Sequence, residues 1–363
     1  MRLKILIAGD WHSELHEEPV FRAFEQLGHR SICFPWHSYF IPSGPLSLPF
    51  CKLQNKYMIG PLIGKINRDL VQRATAERPD ALFVYRGTHI LPDTLHSIRR
   101  SSPGTVLVGY NNDDPFSNLY PRWKWRHFLR AVPEYDLILA YRKHNLGEFK
   151  AAGARRVELL RSWFVPDRNR PVELSSDDQA RYGCDVVFVG HYEDDGRVEH
   201  LREVVRLGLK LRLWGPGYDW DPVLRKVREL KDLVPVRLVS GDEYNKALCG
   251  AKVALCFMSK LNRDTYTRRC FEIPASRVLM LSYFTEDLAG LFVPGIEADY
   301  FRSVEEMKQK LLYYLHDSAA RLRLAQAGYE KVFRGGHDVV SRMQSVIKWL
   351  SEIQARGLGA QPD

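Results

Sequence analysis

One feature constrains this chain more than any other: short, almost unbroken apolar runs alternate with stretches whose apolar residues fall at helical spacing. Leu3–Ala8, Ser31–Pro35, Ala81–Tyr85 (ALFVY), Thr105–Tyr110 (TVLVGY) and Leu137–Tyr141 (LILAY) form a first set of runs. Pro19–Leu27 lies between the first two, is patterned as a helix and stops at Gly28-His29. A strand that is apolar at nearly every position is covered on both faces. Helices between such strands imply βαβ units and a parallel sheet.

A second set begins further on, with Asp185–Val189 (DVVFV), Lys210–Trp214 (KLRLW), Val236–Val239, Lys252–Cys256 (KVALC) and Val278–Ser282. Helical stretches lie near Val198–Leu207, Val223–Leu230 and Asp242–Cys249. The final third is helical: Val304–Leu315, Ala319–Val332 and a last stretch from His337 to about Ile353, followed by a tail, RGLGAQPD, expected to fray. Pro166–Asp178 (PDRNRPVELSSDD) is polar, contains proline and reads as a linker.

The expectation is an α/β protein with two Rossmann-like, doubly wound domains, residues 1–175 and 176–336, facing a central cleft. A C-terminal helix, 337–363, would return to the first domain. A chain of 363 residues suits two such cores better than one. Doubly wound sheets bind ligands in the crevice at the carboxyl ends of their strands. A non-catalytic two-lobed binding protein would give a similar string of elements, so fold alone does not give function.

Charge narrows the partners. Lys and Arg number 53 against 44 Asp and Glu, a net +9, which favours phosphorylated metabolites, nucleic acid or an acidic membrane surface. No RRM, KH, helix-turn-helix or zinc signature supports nucleic acid. The run from Gly190 to Gly196 lacks the Gly-Lys-Ser/Thr of a P-loop, which argues against an NTPase. No apolar run reaches membrane-spanning length, and the N-terminus reads as a strand instead of a signal peptide. The six cysteines show no metal-ligand spacing and read as small buried hydrophobes in a reducing cytosol.

The richest chemistry lies in Thr267–Leu281 (TRRCFEIPASRVLML), where two arginines and a glutamate precede a strand-like run. Eight positions before Glu272 stands Asp264. One carboxylate can hold a ribose diol, and a second can lie beside an anomeric carbon where positive charge develops. Arg268 and Arg269 can neutralise a departing diphosphate through arginine's forked donors. A helix whose charges pair on a solvated face would show the same spacing.

Gly190-His191 ends the strand DVVFV, where a glycine lets a phosphate approach the backbone; an ordinary βα turn would look alike. In the N-terminal half, Gly9-Asp10-Trp11-His12, Arg86-Gly87-Thr88-His89 and Asn111-Asn112-Asp113-Asp114-Pro115 each follow a strand. Asp10 or His12 can contact a substrate or act as a base. Arg86, His89, Asp113 and Asp114 are acceptor-side candidates or loop caps. The aspartates lack DxD spacing, so no metal is expected. Tyr120–Arg130 (YPRWKWRHFLR) suits either a helix with its aromatics inward or an anionic membrane surface.

A family resemblance joins these pieces. Arg269-Cys-Phe-Glu272-Ile-Pro-Ala275 and Met280–Phe292 resemble the glycosyltransferase family that includes the spore maturation protein CgeB, related to retaining glycosyltransferase family 4. So do Pro294-Gly295-Ile-Glu297, Tyr300, Ser303-Val-Glu-Glu306, Tyr313-Tyr-Leu315 and Ala327-Gly328. Upstream, Phe188-Val-Gly190-His, Leu213-Trp-Gly215, Tyr110–Pro115 and Tyr135-Asp-Leu-Ile138 follow suit, and His337-Asp338 through Arg342 resembles a terminal element. The likeness is strongest from about 185 to 345.

It implies a GT-B fold and transfer of a sugar from a nucleotide-sugar donor to a glycan, lipid-linked or protein hydroxyl. Retention of configuration, no metal and no other cofactor are implied with it. By this resemblance Glu272 holds the ribose, Arg197 and Arg269 the diphosphate, and Asp264 the sugar, where the family has a glutamate one methylene longer. Arg277 stands where a glycine often ends the family's run. Apart from the resemblance, the cysteines and the N-terminal strand lead to an expected cytoplasmic location, with peripheral contact at the inner membrane face as the option that Tyr120–Arg130 leaves open.

Overall fold

The computed structural model describes residues 2–42, 44 and 47–358, with no side-chain description for 356–358. The chain forms two compact units: residues up to Arg161 together with those from Val339 onward, and Ser162–Asp338.

The first unit is built on β1 (Lys4–Gly9), β2 (Arg30–Pro35), β3 (Ala81–Tyr85), β4 (Val106–Asn111), β5 (Leu137–Ala140) and β6 (Val157–Leu159). They run in the order β2-β1-β3-β4-β5-β6, every pair parallel. Every residue of β3, β4 and β5 is buried, which is why these strands are apolar without alternation. Strand β6 has no such signature, since its three residues are only half-buried. Cys33 is exposed on edge strand β2, which corrects its reading as a buried hydrophobe; four of the six free cysteines are buried.

Two helices, Leu48–Tyr57 and Pro61–Glu77, fill the long connection from β2 to β3. The terminal helix Val339–Leu358 belongs to this unit and packs on Glu17–Gln26. Arg156 binds Glu158 at 2.8 Å and Glu352 of that helix at 2.6 Å. Of the tail expected to fray, residues 359–363 lie outside the described residues.

The second unit carries β7 (Cys184–Val189), β8 (Leu211–Trp214), β9 (Ala251–Cys256), β10 (Leu279–Tyr283) and β11 (Asp299–Phe301), parallel and in the order β11-β10-β9-β7-β8. The expected strand Val236–Val239 reduces to a single bridge between Arg237 and Trp214. The helix expected at Val223–Leu230 is Gly217–Leu224 instead. Leu230 is buried outside that helix, so packing of a turn imitates helical spacing.

Pro166–Asp178, read as a linker, lies inside the second unit, which begins at Ser162 and not at 176. Three of its polar side chains and a backbone carbonyl are engaged. Asn169 accepts the Val165 N–H at 2.8 Å, Asn245 donates to the Arg168 carbonyl, and Ser175 with Asp178 caps the helix Ser176–Tyr182. Among the described residues no helix is long and apolar enough to cross a membrane.

In each sheet the chain steps outward from the first strand and then returns to its other side. The strand order therefore reverses between β1 and β3, and between β7 and β9. Loops at the carboxyl ends of those strands flank the natural ligand crevice of each unit.

Candidate functional site

At the β7/β9 reversal, the loop after β7 opens with Gly190. A Cβ there would stand 3.1 Å from both an Arg269 terminal nitrogen and the Phe188 ring, so any side chain would push that guanidinium or ring back by a few tenths of an ångström. The Gly190 carbonyl accepts the Trp220 indole N–H at 2.8 Å. His191 is exposed and pairs with Asp219 at 2.9 Å.

Arg197 is buried and spent within this loop. Its guanidinium binds Asp195 through Nε (2.8 Å) and Nη2 (2.5 Å), and donates to the His191 carbonyl at 2.5 Å. The expectation that Arg197 grips a diphosphate directly thus meets a fork already filled; its geometry is that of a pin holding the loop.

Arg269 differs. It opens the helix Arg269–Ala275, its guanidinium lies 5.9 Å from the Phe188 ring, and its Nε has no hydrogen-bond partner. No carboxylate lies within ion-pair distance of it among the described residues. One turn on, Glu272 is buried and accepts the Tyr244 hydroxyl at 2.6 Å. Burial first, then the Glu272 charge, holds the Tyr244 pKa well above that of a free phenol, so the tyrosine stays a donor and orients the carboxylate. A carboxylate offers about four acceptor positions, so one phenol leaves room for a diol.

Asp264 lies in the loop between β9 and that helix, its N–H bonded to the Ser259 carbonyl at 2.8 Å. Ser259 also donates to Glu193 at 3.0 Å, tying this loop to the one after β7. Arg268 sits at the helix boundary and its carbonyl receives the Phe271 and Glu272 N–H groups. Arg277 adopts a left-handed backbone (φ 56°), a conformation glycine takes without strain. Beneath the site, the Cys256 and Cys270 sulfurs are 3.7 Å apart. A hydrogen bond from Cys270, with Arg269 nearby, draws the Cys256 thiol down to about 6 against the effect of burial.

The first unit has its own cluster at the β1/β3 reversal. His12 Nδ1 meets Asp10 at 2.6 Å, both partly exposed, and His37 approaches the other oxygen at 3.7 Å. The Asp10 N–H donates to the buried Glu17 at 2.9 Å, and burial raises the Glu17 pKa. Arg86 pairs with Asp113 at 2.5 Å from a left-handed backbone (φ 64°). Burial alone would raise the Asp113 pKa, but Arg86, Lys124 and Arg142 together hold it below the usual range.

Two acceptor-side candidates turn inward. Asp114 is fully buried, taking the Asn145 amide at 3.0 Å and His144 at 3.2 Å. Asp114, His144 and Glu148 bring three potential metal-ligand atoms within 4.8 Å, but Asn145 also bonds Glu148 at 2.7 Å, so the set is knit by its own amide.

His89 is buried against Trp36 and Phe40, with its nitrogens 2.9 Å from Thr88 and Asn55. That is a core histidine, not a substrate contact. Burial pushes its pKa down to about 3. Between that value and the ordinary ~6.5 the unfolded chain binds a proton that the folded chain refuses, so stability falls as pH is lowered through this window. Denaturant unfolding of wild type and His89→Gln at about pH 7, 6 and 5 should differ by a slope approaching ~1.4 kcal/mol per pH unit below pH 6.

Tyr244, Glu17 and Glu193 escape sequence reading because nothing in their spacing sets them apart; only the fold brings Tyr244 to Glu272. In Tyr120–Arg130 the helix starts at Arg126; Trp125 and Phe128 are buried, as the inward-aromatic reading expects, while Tyr120 and Trp123 stay half-exposed.

The whole architecture has close parallels. HepE from Anabaena, solved with UDP and glucose, superposes with a TM-score of 0.66 at 13% identity, covering 97% of this chain and 100% of that one. The fold is GT-B. A glycosyltransferase from Rickettsia africae gives 0.67 at 11% identity over 97% and 98% of the two chains. Sucrose-phosphate synthase from Thermosynechococcus elongatus gives 0.66 at 11% over 97% and 100%. A family model described as glycosyl transferase-like matches residues 197–348, a span that includes Asp264, Arg269 and Glu272. No curated protein sequence matches the chain.

Proposed function

We propose that this protein is a glycosyltransferase that binds a nucleoside-diphosphate sugar in its second unit and transfers the sugar to a hydroxyl acceptor. The observation that carries this reading is Arg269, a guanidinium whose Nε has no hydrogen-bond partner and which has no ion pair among the described residues, one helical turn from the Tyr244-oriented Glu272 at the strand-order reversal. The family match over the same residues and the UDP bound by HepE support it.

Glu272 takes the ribose hydroxyls, Arg269 the diphosphate and Asp264 the sugar. The bond between the anomeric carbon and the diphosphate oxygen breaks with its electron pair on the oxygen, and Arg269 stabilises that charge. The acceptor oxygen bonds the anomeric carbon and passes its proton to the departing diphosphate oxygen. Retention of configuration and independence from metal rest on the resemblance of Arg269–Ala275 to family 4. A glycan, lipid-linked glycan or protein acceptor is in keeping with the N-terminal cluster of Asp10, His12 and Arg86–Asp113.

Thermal shifts with UDP, GDP, ADP, CMP and dTDP and their sugars should pick out one base. Glu272→Ala should lower that nucleotide's affinity by at least about tenfold, the loss of one charge-assisted contact. Unchanged affinity would refute the ribose assignment. Stabilisation without release of nucleoside diphosphate from any donor would leave a binding protein and not an enzyme.

A further inference from the structure

We propose that the face formed by the helix Leu48–Tyr57 and the neighbouring stretch 119–124 seats the first unit on an anionic lipid bilayer. This helix reverses the usual arrangement of a water-facing helix, in which the apolar side is inward and the polar side outward. Its inward side is Cys51 and the polar Gln54. Gln54 accepts the Leu62 N–H at 2.9 Å, and Asn55 bonds His89 at 2.9 Å. Outward stand Phe50 and Leu53, 55% and 53% exposed, with Ile59 just beyond at 56%. The apolar side chains are thus held out by polar anchors.

The two segments that form this face carry charge of one sign. No Asp or Glu occurs from Gln26 to Arg68, nor from Pro115 to Pro133. The fold packs these two acid-free segments together. Arg126 donates to the Tyr57 and Met58 carbonyls at 2.5 and 3.1 Å, His127 meets Met58 at 3.0 Å, and the Tyr57 and Trp123 rings lie 5.1 Å apart. Exposed Leu119 (59%) and Arg122 extend the surface. Lys52, Lys56 and Arg122 have no ion-pair partner among the described residues.

Aliphatic side chains flanked by unpaired cations, with Tyr and Trp rings at the border, suit the boundary between headgroups and acyl chains. A nucleic-acid surface has no use for exposed aliphatic side chains, whereas Leu53, Ile59 and Leu119 stand outward here beside Phe50. The complementary partner is therefore an anionic lipid surface.

The test is flotation of the full chain with vesicles of phosphatidylcholine alone and with a roughly 3:1 mixture of phosphatidylcholine and phosphatidylglycerol. Wild type should float with the mixed vesicles and not with the neutral ones. Phe50→Gln with Leu53→Gln, and separately Lys52→Glu with Lys56→Glu, should each reduce the partition coefficient at least ~10-fold. Their melting temperatures should match wild type, since all four side chains already face water. Failure of wild type to bind the anionic vesicles, or undiminished binding by both variants, overturns the proposal. So does a dimer in solution that the Phe50/Leu53 variant breaks, because the face then meets a second copy. Nucleotide binding is read separately in the same proteins, so failure of the donor assignment leaves this result distinct.

Discussion

Arg269→Ala is expected to weaken nucleoside-diphosphate binding by about 30- to 100-fold, the ~2–3 kcal/mol of charge-assisted hydrogen bonding that a guanidinium gives to phosphate oxygens. The melting temperature of the free protein should barely move. The reason is that Arg269 makes no ion pair among the described residues: its Nε is unpartnered, its guanidinium lies over Phe188, and its ties to Glu272 and Cys256 are through-space charge alone. Titration calorimetry with the nucleotide that stabilises wild type reads the first quantity, and a thermal melt without ligand reads the second. Arg269→Lys should recover part of the affinity, since the charge returns without the fork. A large fall in melting temperature with unchanged affinity would mean that Arg269 is structural and that the diphosphate sits elsewhere.

How far such a site can be read from sequence depends on what forces each residue's identity. Strands β3, β4, β5, β7 and β9 are legible because nearly complete burial demands near-continuous apolar composition. Strands β6 and β11, three residues each, are too short for a pattern to form. Residues 166–178 look like a linker because the sequence shows polarity but not the bonds that Asn169 and Ser175 make with it. The same limit applies to function. Loop positions after strands locate Asp10, Arg86 and Gly190 at strand ends, since that placement follows from topology. Whether a side chain is available there does not follow, as His89 and Asp114 illustrate by turning into the core. Spacing names a residue's address, while its hydrogen-bond partners decide its work.

Arg197 brings that distinction to a second large effect, opposite in kind to the first. Arg197→Ala is expected to destabilise the second unit by about 3–5 kcal/mol, the cost of leaving a buried charge without its partner. The Asp195 carboxylate, 6% exposed, loses both of its guanidinium bonds, and the His191 carbonyl loses its donor. The loop that carries Gly190 is then tied to the start of the following helix by the residue-197 N–H to Asp195 and no longer by the bond to the His191 carbonyl. Denaturant titration measures the loss. Removing Asp195 as well should restore part of it, because the stranded charge disappears with its partner. The two roles considered for Arg197 part company in that double variant. If Arg197 only pins the loop, Arg197→Ala with Asp195→Asn should regain much of the nucleotide affinity along with stability. If Arg197 reaches the diphosphate itself, stability should return and affinity should not. With Nε, Nη1 and Nη2 all committed inside the loop, recovery of both is the expected result.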